Sequence, residues 1–185
     1  MPTEPVPAEP LPAEPVHAER PPAYLIGVDG RSGAGKTDLA GLLAAALSRD
    51  GDPVPVVHLD ELVTGWTGLS NGITRLVDEV LTPLSSGRPG LLRRWDWVRG
   101  VDGPVAALPW APVVVVEGVG AGAAACRPFL SCLLWLDLDA DERYRRAMER
   151  DGEAFRPWWD LWTAQEGAYL ATDDPRAHAD VVVGT

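Results

Sequence analysis

The stretch "GRSGAGKT", Gly30 to Thr37, follows the short apolar run "AYLIGV" (23–28) and precedes Leu39, Leu42, Leu43, Ala46 and Leu47, which recur at helical spacing. A strand must here run through a glycine-rich turn into a helix, and few architectures accommodate that junction. The turn fits the pattern G-x-x-x-x-G-K-[ST] of a loop that wraps phosphate. Of the sixteen basic residues in the chain fifteen are arginine, and Lys36, inside this loop, is the one lysine. Gly30, Gly33 and Gly35 let the backbone curl and approach a polyphosphate with no Cβ in the way. Ser32 and Ala34 complete a loop whose amides turn inward, and the helix that begins near Lys36 adds its positive end. Lys36 offers a compact, mobile charge to the β and γ phosphates, where a planar arginine fork fits less well. Thr37 offers a hydroxyl to Mg²⁺.

The rest of the chain repeats the strand–helix alternation. "VPVVHL" (54–59), "PVVVVEG" (112–118), "CLLWLDLD" (132–139) and "ADVVV" (179–183) are further apolar runs of the kind buried on both faces. Ile73, Leu76, Val77, Val80, Leu81 and Leu84 mark an amphipathic helix, and "DERYRRAMERDG" and "PWWDLWTAQEGAYL" read as two more. The pattern predicts an α/β fold, a doubly wound five-stranded parallel sheet flanked by helices. Residues 1–22 differ in kind, with Glu4, Glu9, Glu14 and Glu19 spaced by five among prolines and alanines. They predict an extended, disordered Pro/Glu/Ala-rich tail before a single domain, 23–185.

A net charge of −11 argues against nucleic acid or a membrane surface as partner. The sequence shows no signal peptide and no apolar run of membrane-spanning length, so Cys126 and Cys132 read as reduced thiols in a cytoplasmic protein. A homo-oligomer is compatible with this reading.

Other carboxylates and arginines determine what is done with the phosphate. Asp60 ends the second strand, where ligands gather in an open α/β sheet, and suits the acceptance of a hydroxyl proton; Glu61 beside it is the weaker candidate. Glu117 ends the third strand, the place for a magnesium-site carboxylate. Asp137 and Asp139 read as loop and cap residues. Arg143, Arg146 and Arg150 share one helical face and predict a mobile arginine lid over the transferring phosphate. Arg94, Trp95 and Asp96, in "RPGLLRRWDWVRG" (88–100), combine guanidinium, aromatic and carboxylate groups suited to a polar ring or sugar, and Trp66 offers another wall.

In this order the elements "GRSGAGKT", "LDEL", "RRWDW", "VVVVEG", "DERYRRAMERD" and "DPRAHADVVV" resemble the uridine kinase-like branch of the P-loop nucleoside and small-molecule kinases. The resemblance covers residues 24 to 183. It implies Asp60 as catalytic base, with Lys36, Arg146 and Arg150 also acting on the phosphoryl group. It further implies Arg143 as a lid arginine toward the nucleotide, Thr37 toward Mg²⁺ and Asp96 toward the acceptor. The implied activity is transfer of the γ-phosphoryl of ATP to a hydroxyl of a small molecule, a nucleoside or nucleoside-like compound first. Another hydroxylated metabolite or an antibiotic is the alternative acceptor, and a nucleotide-dependent regulatory ATPase or switch is the alternative class. Two positions depart from the uridine kinase pattern: Val63 stands where a tyrosine is expected, and Gly100 where a base-reading histidine is expected.

Overall fold

The computed structural model describes residues 20–49 and 51–184. Five parallel strands form one sheet: β1 (Tyr24–Gly30), β2 (Val56–His58), β5 (Val113–Glu117), β6 (Cys132–Asp137) and β7 (Val181–Gly184). Their order is β2-β5-β1-β6-β7, so β1, which feeds the glycine-rich loop, is central. All five apolar runs of the sequence become these strands. Alternation within each strand decides which face a side chain joins. Ile26, Val28, Val115 and Leu136 pack on the face that α1 (Lys36–Leu47) covers. Leu25, Val57, Val114 and Val116 pack on the other, beneath α2 (Leu69–Arg75), α3 (Thr82–Ser85) and α5 (Trp159–Asp173).

The apolar stripe of α1 differs from the expected one. Leu39, Ala40, Leu43 and Ala44 face the sheet, and Leu42 is left 69% exposed. The two alanines let the helix lie close to the strands, which sets its rotation. The second predicted helix is longer than its apolar stripe: α2 passes through a π-helical stretch, Leu76–Leu81, into α3. Leu76, Val80, Leu81 and Leu84 are fully buried there.

Residues 88–108 depart most from expectation. β3 (Gly90–Asp96) and β4 (Val101–Leu108) form a separate antiparallel hairpin. Its turn explains Gly100, whose φ of 66° belongs to the left-handed region that glycine tolerates best. Arg75 is buried and ties this hairpin to the core: it donates to the carbonyls of Leu62 and Arg93 and pairs with Asp102 at 3.0 Å.

Of the tail, residues 1–19 lie outside the described residues. Residues 20–22, which the sequence groups with it, are exposed and touch the domain at Trp110. Trp110 Nε1 donates to the Pro21 carbonyl at 3.1 Å, and the Arg20 guanidinium lies 5.5 Å from the Trp110 ring centroid. Cys126 and Cys132 are unpaired thiols, and burial pushes that of Cys126 up to about 12. No helix among the described residues is long and apolar enough to cross a membrane.

Candidate functional site

The glycine-rich loop lies at the carboxyl end of β1, with the ends of β5 and then β2 to one side of it. A cavity of about 530 Å³ opens there, and Lys36, Thr37, Asp60, Glu117, Arg150 and Trp66 contribute to its wall. Gly35 is the N-cap of α1 at φ 94°, with no side-chain cap, which leaves first-turn amides to an anion. Lys36 is buried, and its Nζ donates to the Arg31 carbonyl at 3.1 Å across the loop. Burial lowers the Lys36 pKa, and the nearby charges of Glu117, Asp29 and Glu166 work against that fall. Residues Gly30, Ser32, Gly33, Ala34 and Gly35 form the turn itself, with Ser32 and Gly33 reaching the cavity.

Gly33 has a second constraint. Its φ is 81°, and a Cβ there would run into the main-chain carbonyl of Arg143 in α4 (Ala140–Asp151). Strain in a left-handed conformation costs roughly 1–3 kcal/mol for a residue with a side chain. Gly33→Ala is therefore expected to lower the melting temperature and to weaken nucleotide binding at least tenfold, as checked by thermal unfolding and titration with a fluorescent ATP analogue.

Two carboxylates that no sequence pattern marks hold this loop from behind. Glu166, on α5, is 0% exposed. It accepts from the Ser32 amide at 2.9 Å, from Arg31 Nε at 3.0 Å and from Trp162 Nε1 at 3.1 Å. Trp162 also donates to Ser32 Oγ at 2.9 Å. Asp29, buried at the end of β1, accepts from the amides of Gly120 and Gly122 and from the Tyr169 hydroxyl at 2.6 Å. Burial raises its pKa against those bonds. Apart from Trp162, four residues from Glu166, these partners are more than ninety residues away in sequence, which is why no spacing announces them. Glu166→Ala leaves the Ser32 amide and the Arg31 guanidinium without their acceptor. We expect a loss on the order of 2 kcal/mol, read as a melting temperature lower by roughly 4–8 °C, together with a raised KM for ATP.

Glu117 is the hub of the open side. Thr37 Oγ1 donates to its Oε1 at 3.1 Å, and His58 Nδ1 lies 2.6 Å from the same oxygen. Burial alone would raise the Glu117 carboxyl, but the His58 bond, Lys36 and Thr37 together hold it below the usual range. The Glu117 bond in turn raises His58. Thr37 and Glu117 are hard oxygen donors side by side at the loop. They fit Mg²⁺, which takes one or two protein oxygens together with phosphate and water. Asp60 opens into the same cavity, and its carboxyl is raised, first by desolvation in the cleft and then by the charge of Glu117.

The three helical arginines separate into different roles. Arg143 is buried and donates to the carbonyls of Leu138 and Ser32, bracing α4 against the loop. Arg146 pairs with Glu142 at 2.9 Å, and its guanidinium lies beside Gly35. Arg150 alone of the three lines the cavity, held by Asp151 at 2.7 Å. Arg145 points elsewhere and pairs with Glu142 and Glu149. Asp139 caps α4 by accepting from the Asp141 amide, and Asp137 pairs with Arg176.

The predicted acceptor residues also divide. Trp66 is in the wall of the cavity, and Trp97 joins it. Trp95 lies behind, near Gly65. Arg94 pairs with Glu61 at 2.6 Å, so that Glu61 rather than Arg94 faces the cavity. Asp96 accepts from the amides of Val98 and Arg99 and shapes the hairpin turn.

No family model matches the chain, and no curated protein matches it. Its fold, however, recurs among solved structures. A protein described as a possible uridine kinase from Bacillus stearothermophilus aligns with a TM-score of 0.62 at 24% identity, over 90% of this chain and 91% of that one. A candidate fructose transport system kinase from Silicibacter sp. TM1040 aligns at 0.59 and 18%, over 92% and 93%. TT1252 from Thermus thermophilus aligns at 0.50 and 20%, over 89% of both chains. Central strand, glycine-rich loop and near-complete overlap agree: the chain has the P-loop kinase fold, with a uridine kinase-like protein among its structural neighbours.

Proposed function

We propose that the protein is an ATP- and Mg²⁺-dependent phosphotransferase acting on a hydroxyl of a small molecule in the cytoplasm. One observation carries the reading: the loop lysine, a solvent-facing carboxylate and an arginine share one cavity, as Lys36, Asp60 and Arg150 do. The loop amides and Lys36 hold the β and γ phosphates of ATP. Thr37 and Glu117 would hold Mg²⁺, which supplies charge neutralisation on the phosphate oxygens. Asp60 accepts the proton of the acceptor hydroxyl as its oxygen bonds to the γ phosphorus and the β,γ-bridging P–O bond breaks, leaving ADP. Arg150, once released from Asp151, and Arg146 beside Gly35 supply positive charge to the transferring group. Arg143 acts on the nucleotide only through the loop it braces.

The two functional descriptions borne by the neighbours, uridine kinase and fructose transport system kinase, name different acceptors on one fold. Fold therefore does not choose the acceptor, and the pocket must. Val63 is buried in the cavity wall and Gly100 is a turn residue, so neither offers a hydrogen bond to a pyrimidine. Each lost hydrogen bond is worth roughly 0.5–1.5 kcal/mol. Uridine and cytidine are expected to be poor substrates. A screen of ATP consumption over nucleosides, sugars and other hydroxylated metabolites tests the whole reading; steady ATP hydrolysis indifferent to every acceptor would instead favour a regulatory ATPase.

A further inference from the structure

Beyond the glycine-rich loop, carboxylates outnumber cationic side chains in the cavity wall: Asp60, Glu61, Glu117 and Asp151 against His58 and Arg150. Carboxylates accept only. Most donors nearby are engaged; the second ring nitrogen of His58 and one guanidinium nitrogen of Arg150 are the exceptions in the cavity wall among the described residues. Arg150 is held on Asp151 and Arg94 on Glu61. Trp97 Nε1 donates to the Asp60 carbonyl, and Trp162 Nε1 to Ser32 and Glu166. A ligand that arrives with carboxylate, phosphate or ring carbonyl groups meets more acceptors than donors there.

The apolar part of the wall has the same sign. Trp66 stacks near-parallel on Phe155 at 5.3 Å and on Trp158 at 5.7 Å, and Trp97 lies tilted against it at 4.8 Å. Three segments remote in sequence meet in this cluster. Trp97 keeps 39% of its surface open and contributes to the cavity wall. Aromatic faces carry negative potential and attract organic cations, most strongly when water is excluded. Carboxylates and aromatic faces thus favour one kind of guest by independent physics.

We propose that the phosphoryl acceptor is a hydroxylated organic cation, an amino alcohol with an apolar or aromatic body. Its ammonium lies against Trp97 near Glu61 and its hydroxyl reaches Asp60. This rests on the phosphotransferase reading for the second reactant. The hydroxyl oxygen forms the new P–O bond as the β,γ-bridging bond breaks, its proton passes to Asp60, and ADP and the O-phosphorylated amine leave.

The test uses matched pairs that differ in charge and little in shape, on the full-length protein with MgATP. N-benzylethanolamine is compared with 2-benzyloxyethanol, and choline with 3,3-dimethylbutan-1-ol; glycerol 3-phosphate represents anionic acceptors. Binding is followed by tryptophan fluorescence and transfer by phosphorylated product. The charged member of a pair is expected to bind at least about tenfold more tightly than its neutral partner. Trp97→Leu should reduce that ratio by about fivefold or more, with nucleotide binding retained as the check on folding. Glu61→Gln, at a half-exposed site, should reduce it also and serves if the tryptophan variant does not fold. Charged members that bind but are not phosphorylated would overturn the kinase reading and leave the pocket assignment standing. Equal binding within each pair, preference for the neutral or anionic compounds, no binding by any amine, or a ratio unmoved in both variants would overturn this inference.

Discussion

Lys36→Ala is expected to abolish phosphoryl transfer while the protein stays folded. The ammonium makes one described protein hydrogen bond, to the Arg31 carbonyl, and its burial already costs hydration that lowers its pKa. Removing the side chain therefore relieves a desolvation cost at the same time as it deletes a contact, and the melting temperature should move by no more than a few degrees. The rate behaves differently. Charge aimed in advance at the transferring phosphate acts in the transition state, and loss of a single preorganised donor costs ~10²–10³ in kcat. A formal charge in a closed loop should be at the upper end or beyond. Lys36→Arg restores the charge without the shape, since a planar fork cannot occupy the place of an ammonium among backbone amides; it should lose most activity as well. Purified Lys36→Ala protein, folded by circular dichroism and turning over at near-normal rates, would remove the basis of the nucleotide site.

Asp60→Asn is expected to lower kcat by ~10²–10⁴, the range for a positioned base, with ATP affinity nearly unchanged. The substitution preserves size and removes the proton-accepting charge. The described residues supply Asp60 no side-chain ion pair or hydrogen bond, so the variant leaves the hydrogen bonds of the Thr37–Glu117–His58 group intact. Desolvation in the cleft and the charge of Glu117 raise its carboxyl above the usual range, which makes it a stronger base for an alcohol proton. Single-turnover transfer and equilibrium nucleotide binding, measured on the same preparation, separate the alternatives. If affinity for MgATP collapsed with the rate, Asp60 would belong to the metal site rather than to proton transfer.

The arginine helix illustrates how far spacing carries and where it stops. Residues 143, 146 and 150 do share a face, as their separation requires. Which of them meets the cavity depends on how deeply each turn of α4 is set against the loop. Arg143, nearest the loop, is drawn under Ser32 and spent on carbonyls; Arg150, a helix length away, reaches the open side.

Sequence by itself determined the strand-loop-helix core of this protein. The apolar runs are short-range signals, each long enough to name a buried strand, and the glycine-rich loop dictates its own backbone because only glycine adopts such turns without strain. Tertiary structure alone decided the strand order, the hairpin at 90–108 and the partners of Glu166 and Asp29. Those depend on contacts between residues far apart in the chain, Ser32 with Glu166 or Asp29 with Tyr169, for which no local pattern exists. The hairpin lacks a local apolar signal because its strands lie half exposed: β3 mixes arginine and tryptophan with leucine, and β4 carries aspartate, glycine and proline among its valines and alanines. The polarity of the proposed acceptor pocket is likewise a tertiary property: Asp60, Glu61 and Asp151 join one cavity wall, with Arg150 beside Asp151 and Arg94 outside it, only after the end of β2 and α4 are brought together.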